Sequence, residues 1–110
     1  MNQKELYFAD LEPIKGQEQG GIRPVLILSG NTLNKYSELV IICPLSTKLK
    51  GYKGTIRLNK NITNGLKNNS EILVFQIRVI SKSRILKKIG EISEEELSLV
   101  KIELDKVLTY

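Results

Sequence analysis

Histidine is missing from this sequence altogether, and cysteine occurs once, as Cys43. Without histidine, Ser-His-Asp and Cys-His mechanisms are excluded, as are nucleases that rely on paired histidines. A single cysteine forms no disulfide within the chain, and no Cys/His cluster is available for zinc. Because Cys43 falls in the apolar run at residues 39–45, we expect a reduced core thiol in an intracellular protein.

Long apolar runs and cofactor motifs are also missing. No stretch approaches the roughly 18 apolar residues of a membrane span, and residues 1–5 lack the apolar core of a signal peptide. Asp10, Glu12 and Glu18 are close in sequence but do not resemble the carboxylate sets of two-metal nucleases. No phosphate-binding or dinucleotide-binding glycine motif occurs. We therefore expect a cytoplasmic protein with no metal, no cofactor and no membrane partner.

The charge of the chain is unevenly distributed. Its 110 residues are 41% hydrophobic and 26% charged, which predicts one globular domain over residues 1–110. Residues 48–88 contain eleven lysines and arginines against one acid, Glu71, whereas residues beyond 88 contain six acids against two lysines. A basic middle followed by an acidic end is typical of a polyanion-binding protein, so nucleic acid is the expected ligand.

Short apolar runs separated by polar, glycine-containing segments predict five or six strands. The run at residues 38–45 is expected to end at Pro44, and residues 30–37 and 59–69 read as polar connections. No helical pattern joins two strands, which favours a small, strongly bent antiparallel barrel. The predicted strands occupy residues 5–11, 25–29, 38–45, 55–58, 71–80 and 89–92.

One helix is expected after the last strand. Ser93 and Glu96 have the spacing of a capping box, and three glutamates occupy the first turn. The apolar residues that recur at helical spacing should pack on the sheet. They are Leu97, Val100, Leu104 and Val107, with Leu99, Ile102 and Leu108 expected to widen the stripe.

The segment at residues 18–24, Glu-Gln-Gly-Gly-Ile-Arg-Pro, is the strongest candidate for a functional site. Its two glycines allow positive φ and let a ligand approach the main chain. Pro24 suits the first residue of a strand, because it fixes φ and removes a donor. Arg23 is therefore expected at the mouth of a rigid strand, beside a loop that can close over a ligand.

One reaction fits the residues that remain. RNA carries its own nucleophile, the 2′-hydroxyl, so its cleavage needs neither activated water nor a metal. Arg23 can supply the cation and a bidentate phosphate contact. Ser46 or Thr47, at the end of a predicted strand, can hydrogen-bond the phosphate, and Glu18 can accept a proton or orient Arg23.

Four segments of the chain resemble the MazF/PemK toxins, the ribonuclease halves of bacterial toxin–antitoxin pairs. They are Tyr-Phe-Ala-Asp-Leu-Glu-Pro at residues 7–13, the glycine-rich segment 16–24, Cys-Pro-Leu-Ser-Thr at 43–47 with Lys-Gly-Tyr at 50–52, and Phe-Gln-Ile-Arg at 75–78. The resemblance implies a homodimeric, mainly β fold with a C-terminal α-helix, an SH3-like antiparallel barrel of the PemK/CcdB type. It also implies metal-independent, sequence-specific cleavage of single-stranded mRNA, an acidic antitoxin as partner, and DNA binding together with that antitoxin.

The resemblance also implies roles for individual residues. The catalytic arginine of the family corresponds to Arg23, and its catalytic threonine to Ser46, with Thr47 next to it. Phe75 stands where the family commonly has a glutamate. The side chains expected to contact RNA are Gln19, Lys48, Lys50, Tyr52, Gln76 and Arg78.

Two other functions are open at this point. A gyrase poison of the same barrel class would inhibit a protein and cut no RNA, and it would need no phosphate-binding arginine behind a Gly-Gly loop. A non-catalytic RNA-binding barrel would fit the charge distribution but would leave the pairing of Arg23 with Ser46 unused.

Overall fold

The computed structural model describes residues 1–13, 15–16 and 18–110. Gln17, which belongs to the glycine-rich segment 16–24, lies outside the described residues, as does Ile14. The described chain forms seven strands and two α-helices. The strands are β1 Glu5–Asp10, β2 Ile22–Ile27, β3 Leu39–Ser46, β4 Thr55–Leu58, β5 Ser70–Leu73, β6 Arg78–Ser81 and β7 Ile85–Glu91, and the helices are α1 Asn31–Tyr36 and α2 Glu94–Val107.

Every strand pair is antiparallel, and the strands follow the order β4-β5-β3-β2-β1-β7, with β6 added on β3. Among the described strands, β4 and β7 form the two ends of this order, so the bent sheet does not close on itself. The predicted fold class, a mainly β antiparallel architecture with a C-terminal helix, is confirmed.

Strand β3 connects the two halves of the sheet. One side pairs with β2, while the other pairs first with β6, from Leu39 to Ile42, and then with β5, at Leu45 and Ser46. The strand continues through Pro44, so the predicted end at that residue was wrong. On the edge of β3 that pairs with β6 and then with β5, Pro44 lies between the two paired segments and belongs to neither. Its missing N–H therefore breaks no ladder there.

The single strand predicted at residues 71–80 was also wrong. It is divided into β5 and β6 by a 3-10 turn at Val74–Gln76. The turn lets the chain follow β3 as the sheet bends, because β5 and β6 pair with different segments of that strand. A continuous strand would place Phe75 and Gln76 on opposite faces of the sheet, and the 3-10 turn removes this alternation.

Residues 30–37, predicted as a polar connection, contain the short helix α1. Its Asn34 is buried, and the Nδ2 atom of Asn34 donates to the carbonyl oxygen of Ser29 at 2.8 Å. Helices this short are marginal on local propensity alone. A long-range contact also supports it, because the N–H of Gln3 donates to the Oδ1 atom of Asn31 at 2.7 Å.

Two hydrophobic clusters lie on opposite faces of the sheet. Leu26, Cys43 and Leu45 face helix α2, and we call this the helix face. Val25 and Ile42 face the other way, with Ile27, Val40 and Ile80, and we call this the second face. Because successive side chains of a strand alternate between faces, the uninterrupted apolar run of β2 contributes to both clusters.

Helix α2 begins at the predicted capping box. The Oγ atom of Ser93 accepts from the N–H of Glu96 at 3.0 Å, and Glu96 Oε1 accepts from the N–H of Ser93 at 2.8 Å. Leu97 and Val100 are buried in the helix-face cluster. Leu99, Ile102 and Leu108 are exposed, so their predicted part in the stripe was wrong. No helix in the described part of the chain is long and apolar enough to cross a membrane.

Candidate active site

Arg23 and Ser46, which are distant in sequence, meet where β2 begins and β3 ends. The β2–β3 pairing ends at Val25 and Pro44, and Arg23 and Ser46 each lie two residues beyond that pair, where the same register would set them opposite each other. Directly opposed residues of an antiparallel pair share one face, here the second face. The Nη1 atom of Arg23 donates to the carbonyl oxygen of Leu45 at 3.3 Å, so its guanidinium adjoins the Leu45–Ser46 peptide. We call this end of the strand pair the ribbon end.

The main chain holds the guanidinium of Arg23 in place. Its Nε atom donates to the carbonyl oxygen of Gly20 at 2.8 Å, in the loop that precedes β2. Gly21 has a φ of +73°, and its N–H donates to Glu12 Oε1 at 2.7 Å. An arginine has five N–H donors, and two are used here. The other three have no partner among the described residues, which leaves a preorganised fork for an anion.

Ser46 is the last residue of β3, and Thr47 follows it outside the strand. Ser46 is on the second face with Arg23, is 8% exposed, and its Oγ atom accepts from the N–H of Lys48 at 3.1 Å. Because a hydroxyl has one donor and two acceptor sites, this bond leaves the proton of Ser46 available to a ligand. Thr47 is exposed on the helix face, beside Pro24. The structure brings Ser46 to Arg23 and turns Thr47 away.

Glu18 does not contact Arg23. Its Oε1 atom accepts from the N–H of Lys15 at 2.8 Å, within the exposed loop. Neither of the two ion pairs found among the described residues involves Glu18. The predicted orienting role therefore has no contact to support it. The alternative role, as a proton acceptor, stays a prediction.

A shallow cavity of about 510 Å³ lies beside this loop and is lined by Glu18, Gln76 and Arg78 together with Phe75 and Ile77. Gln76 Oε1 accepts from the N–H of Gln19 at 3.1 Å, which joins the 3-10 turn to the arginine loop. The Nη1 atom of Arg78 is buried and has no hydrogen-bond partner among the described residues. An unpartnered buried guanidinium nitrogen costs free energy unless an anion satisfies it.

The remaining predicted RNA contacts are on the basic loop, residues 47–54. Lys48, Lys50 and Tyr52 are exposed, and Tyr52 is 63% exposed. The Nζ atom of Lys50 lies 5.6 Å from the centroid of the Tyr52 ring. The loop thus presents an aromatic ring and several cations to solvent, next to the ribbon end.

Comparison with known proteins decides the family. A family model described as "PemK-like, MazF-like toxin of type II toxin-antitoxin system" matches residues 2–108. The chain belongs to this toxin family. The resemblance of the four segments is therefore confirmed.

Individual relatives resemble this chain over nearly its whole length, and those with solved structures share its fold. It is 36% identical over 108 residues to the endoribonuclease MazF of Staphylococcus saprophyticus, covering 96% of this chain and 88% of the relative. The crystal structure of MazF from Deinococcus radiodurans superimposes with a TM-score of 0.85 at 27% identity, covering 100% of this chain and 97% of that one. The MazE–MazF complex from the same organism gives a TM-score of 0.77 at 26% identity, covering 99% and 96%.

Two buried carboxylates that hold the basic loop of this PemK-like, MazF-like toxin were missed by the sequence analysis. Glu71, which is directly opposite Ser46 on β5, accepts from the N–H groups of Lys50 at 3.1 Å and Gly51 at 2.7 Å. Glu103 of α2 accepts from the N–H of Gly54 at 2.9 Å. The one available signal was that Glu71 is the only acid within residues 48–88.

The C-terminal residue also contacts this second carboxylate. The hydroxyl of Tyr110 donates to Glu103 Oε2 at 2.9 Å, and this hydrogen bond raises the pKa of Tyr110 above its usual value. The Nζ atom of Lys53 lies 5.1 Å from the centroid of the Tyr110 ring. The middle and the end of the basic loop are therefore attached to buried acids, while its lysines remain exposed. No group of three or more His, Cys, Asp or Glu side chains in the described part of the chain is placed to hold a metal.

Proposed function

We propose that this protein is an endoribonuclease toxin that cuts single-stranded mRNA at specific short sequences. The observation that supports the proposal most strongly is the meeting of Arg23 and Ser46 at the ribbon end. A guanidinium with three unused donors and a hydroxyl with a free proton share one face there. The relative from Staphylococcus saprophyticus, 36% identical, is named an endoribonuclease. Arg78 lines the adjacent cavity, where its guanidinium adds positive charge.

In the proposed mechanism the substrate supplies the nucleophile. The 2′-oxygen attacks the adjacent phosphorus and loses its proton, and the bond from phosphorus to the 5′-oxygen breaks. The leaving 5′-oxygen takes up a proton from solvent as its bond breaks, so the products are a 2′,3′-cyclic phosphate and a 5′-hydroxyl, and neither a water nucleophile nor a metal is required. Arg23 stabilises the charge that develops on the non-bridging oxygens, and Ser46 donates a hydrogen bond to the same phosphate. Glu18 is the proposed proton acceptor.

The sequence preference should come from the side chains around these two residues. We propose that Gln19 and Gln76 contact RNA bases, since they join the arginine loop to the 3-10 turn. Lys48, Lys50 and Arg78 contact phosphates, and the exposed ring of Tyr52 stacks on a base.

A homodimer and an acidic antitoxin complete the proposal. Leu39 and Val79 are 49% and 54% exposed on one side of the β3–β6 pair, an apolar surface that a second copy can cover. The MazE–MazF complex from Deinococcus radiodurans is a structure of a related toxin with its partner, and DNA binding would come with that partner. Because a toxin that cuts mRNA must reach it, we propose a cytoplasmic protein with one toxin domain.

The test is cleavage of a long single-stranded RNA by the purified protein and by Arg23→Ala. The variant should stay folded, because the Arg23 side chain bonds only main-chain carbonyls, and it should lose on the order of 100-fold or more in rate. Lys35→Ala, at an exposed lysine of α1, is the matched control and should cut normally. Excess EDTA should not slow the wild type. A folded Arg23→Ala protein with near-normal activity would refute the proposal.

A further inference from the structure

We propose that a second cleft, on the helix face of the ribbon end, binds a nucleotide of the RNA that flanks the scissile phosphate. This inference rests on the proposed function and assigns a subsite to it. The cleft has a volume of about 430 Å³. We call it the flanking cleft.

The flanking cleft lies back to back with the candidate active site. Pro24 and Thr47 line it, and they are the chain neighbours of Arg23 and Ser46. Because successive side chains in a strand point to opposite faces, a single step along β2 or β3 leads from the active site into the cleft. An RNA strand whose phosphate is held by Arg23 needs only to turn over the ribbon end for its next nucleotide to reach this face.

The floor of the cleft is apolar and contains an aromatic ring. Phe8 pairs with Pro24 across β1 and β2, and its side chain is 36% exposed although it lies in the middle of a strand. Leu66 and Ile89 complete the apolar lining. An exposed aromatic ring on a sheet is a stacking platform for an unpaired base, and such stacking is tolerant of base identity.

The rim of the cleft is basic. Lys67, Lys87 and Lys88 line it, and no carboxylate is among the described lining residues. Lys88 is bonded to Glu5 at 2.6 Å, but Lys67 and Lys87 form no ion pair within the described part of the chain. With a base stacked on the ring of Phe8, Lys67 and Lys87 can each pair with one of the two phosphates that flank that base.

A stretch of acidic peptide would also meet these lysines. Single-stranded RNA is the favoured occupant because the cleft is lined by the chain neighbours of the residues proposed to hold the scissile phosphate, and because an aromatic floor with a lysine rim matches alternating bases and phosphates. Asn68 and Ser70 add polar groups at the same wall.

The experiment uses the full protein and RNA oligonucleotides built around a cleavage site mapped on a long RNA. One nucleotide at a time on each side of the cut is replaced by an abasic residue. We expect Phe8→Ala to raise KM roughly tenfold, within the range that loss of one stacked base gives, with little change in kcat. One abasic position should raise the KM of the wild type by a similar factor, and Phe8→Ala should not respond to that replacement.

Matched variants separate the cleft from general effects. Tyr36→Ala removes an exposed aromatic ring on α1 and should leave KM unchanged. Phe8→Leu keeps an apolar side chain and should raise KM like the alanine variant, which keeps the test valid if Phe8→Ala folds poorly. The double variant Lys67→Gln, Lys87→Gln should lower the salt slope of RNA binding by about 1.4, because each phosphate contact to a single strand contributes about 0.7, whereas Lys35→Gln should not change it.

The inference is overturned if Phe8→Leu and the double lysine variant bind and cut RNA as the wild type does while Arg23→Ala is inactive. If these variants instead lose affinity only for an acidic peptide, the cleft is a protein-docking site and the RNA assignment is wrong. An active Arg23→Ala protein would refute the proposed function itself, which is a separate result.

Discussion

Replacing Glu71 with alanine should release the basic loop from the sheet. The carboxylate of Glu71 is 4% exposed and accepts two main-chain hydrogen bonds, from Lys50 and Gly51. Hydrogen bonds to a charged group contribute about 1.5 to 3 kcal/mol each. Both amides belong to exposed residues, so water can replace the carboxylate and the lower figure applies. Loss of both bonds should therefore make loop opening easier by about 3 kcal/mol.

Amide hydrogen exchange measures this opening directly. A change of about 3 kcal/mol corresponds to exchange roughly 100-fold faster at Lys50 and Gly51, while the strands stay protected. Glu71→Gln keeps one acceptor oxygen and sets an amide nitrogen against the other N–H, so its effect should be about half as large. The KM for RNA should rise more in Glu71→Ala than in Glu71→Gln, because the lysines and Tyr52 of the basic loop lose their fixed arrangement.

Glu95→Ala removes an exposed acid of α2 that makes no side-chain hydrogen bond among the described residues, and it is the matched control. Unchanged protection of Lys50 and Gly51 in a folded Glu71→Ala protein would show that the carboxylate does not hold the loop.

Three further predictions use the same purified protein. Ser46→Ala should lose more cleavage rate than Thr47→Val, and Ser46→Thr should remain active; an inactive Thr47→Val beside an active Ser46→Ala would reverse the assignment. Burial is the largest single influence on Glu5 and raises its pKa, but the hydrogen bonds from Lys88, Asn2 and Tyr7 and the charge of Lys88 together outweigh it, so the pKa of Glu5 is lowered overall. This stability is present above the unfolded pKa and lost as pH falls through the folded pKa, so Glu5→Gln should flatten the acid limb of a urea-denaturation series; an unchanged limb would contradict it. Val79→Lys should convert a dimer to a monomer in sedimentation, and a wild-type protein that is monomeric and active at micromolar concentration would refute the dimer.

The sequence was sufficient to predict the parts of the fold that local chemistry determines. Ser93 and Glu96 define the start of α2, and this prediction was confirmed because both capping bonds form within four residues. Each predicted strand overlaps an observed one, but the ends differ: β2 begins at Ile22 and not at residue 25, and β7 begins at Ile85 and not at residue 89. Helix α1 was missed because its contact with the distant residue Gln3 depends on how the chain folds.

The candidate site was predictable in its residue types but not in its arrangement. Arg23 and the Ser46–Thr47 pair could be named from a strand start and a strand end. Which hydroxyl faces Arg23 depends on the register of β2 and β3, and a one-residue slip reverses it. Glu71 was hidden for a related reason, since its contacts with Lys50 and Gly51 follow from the pairing of β5 with β3.

The most direct test of the central claim is the cleavage of an RNA with a single 2′-deoxynucleotide immediately 5′ of the scissile phosphate. The account assigns the nucleophile to that 2′-hydroxyl and the stabilising charge to Arg23. The deoxy substrate should bind with the same affinity and salt dependence, because the phosphate contacts are unchanged, yet it should not be cut at that position. Cleavage of the deoxy substrate at the normal rate would mean that water is the nucleophile, and it would contradict the mechanism.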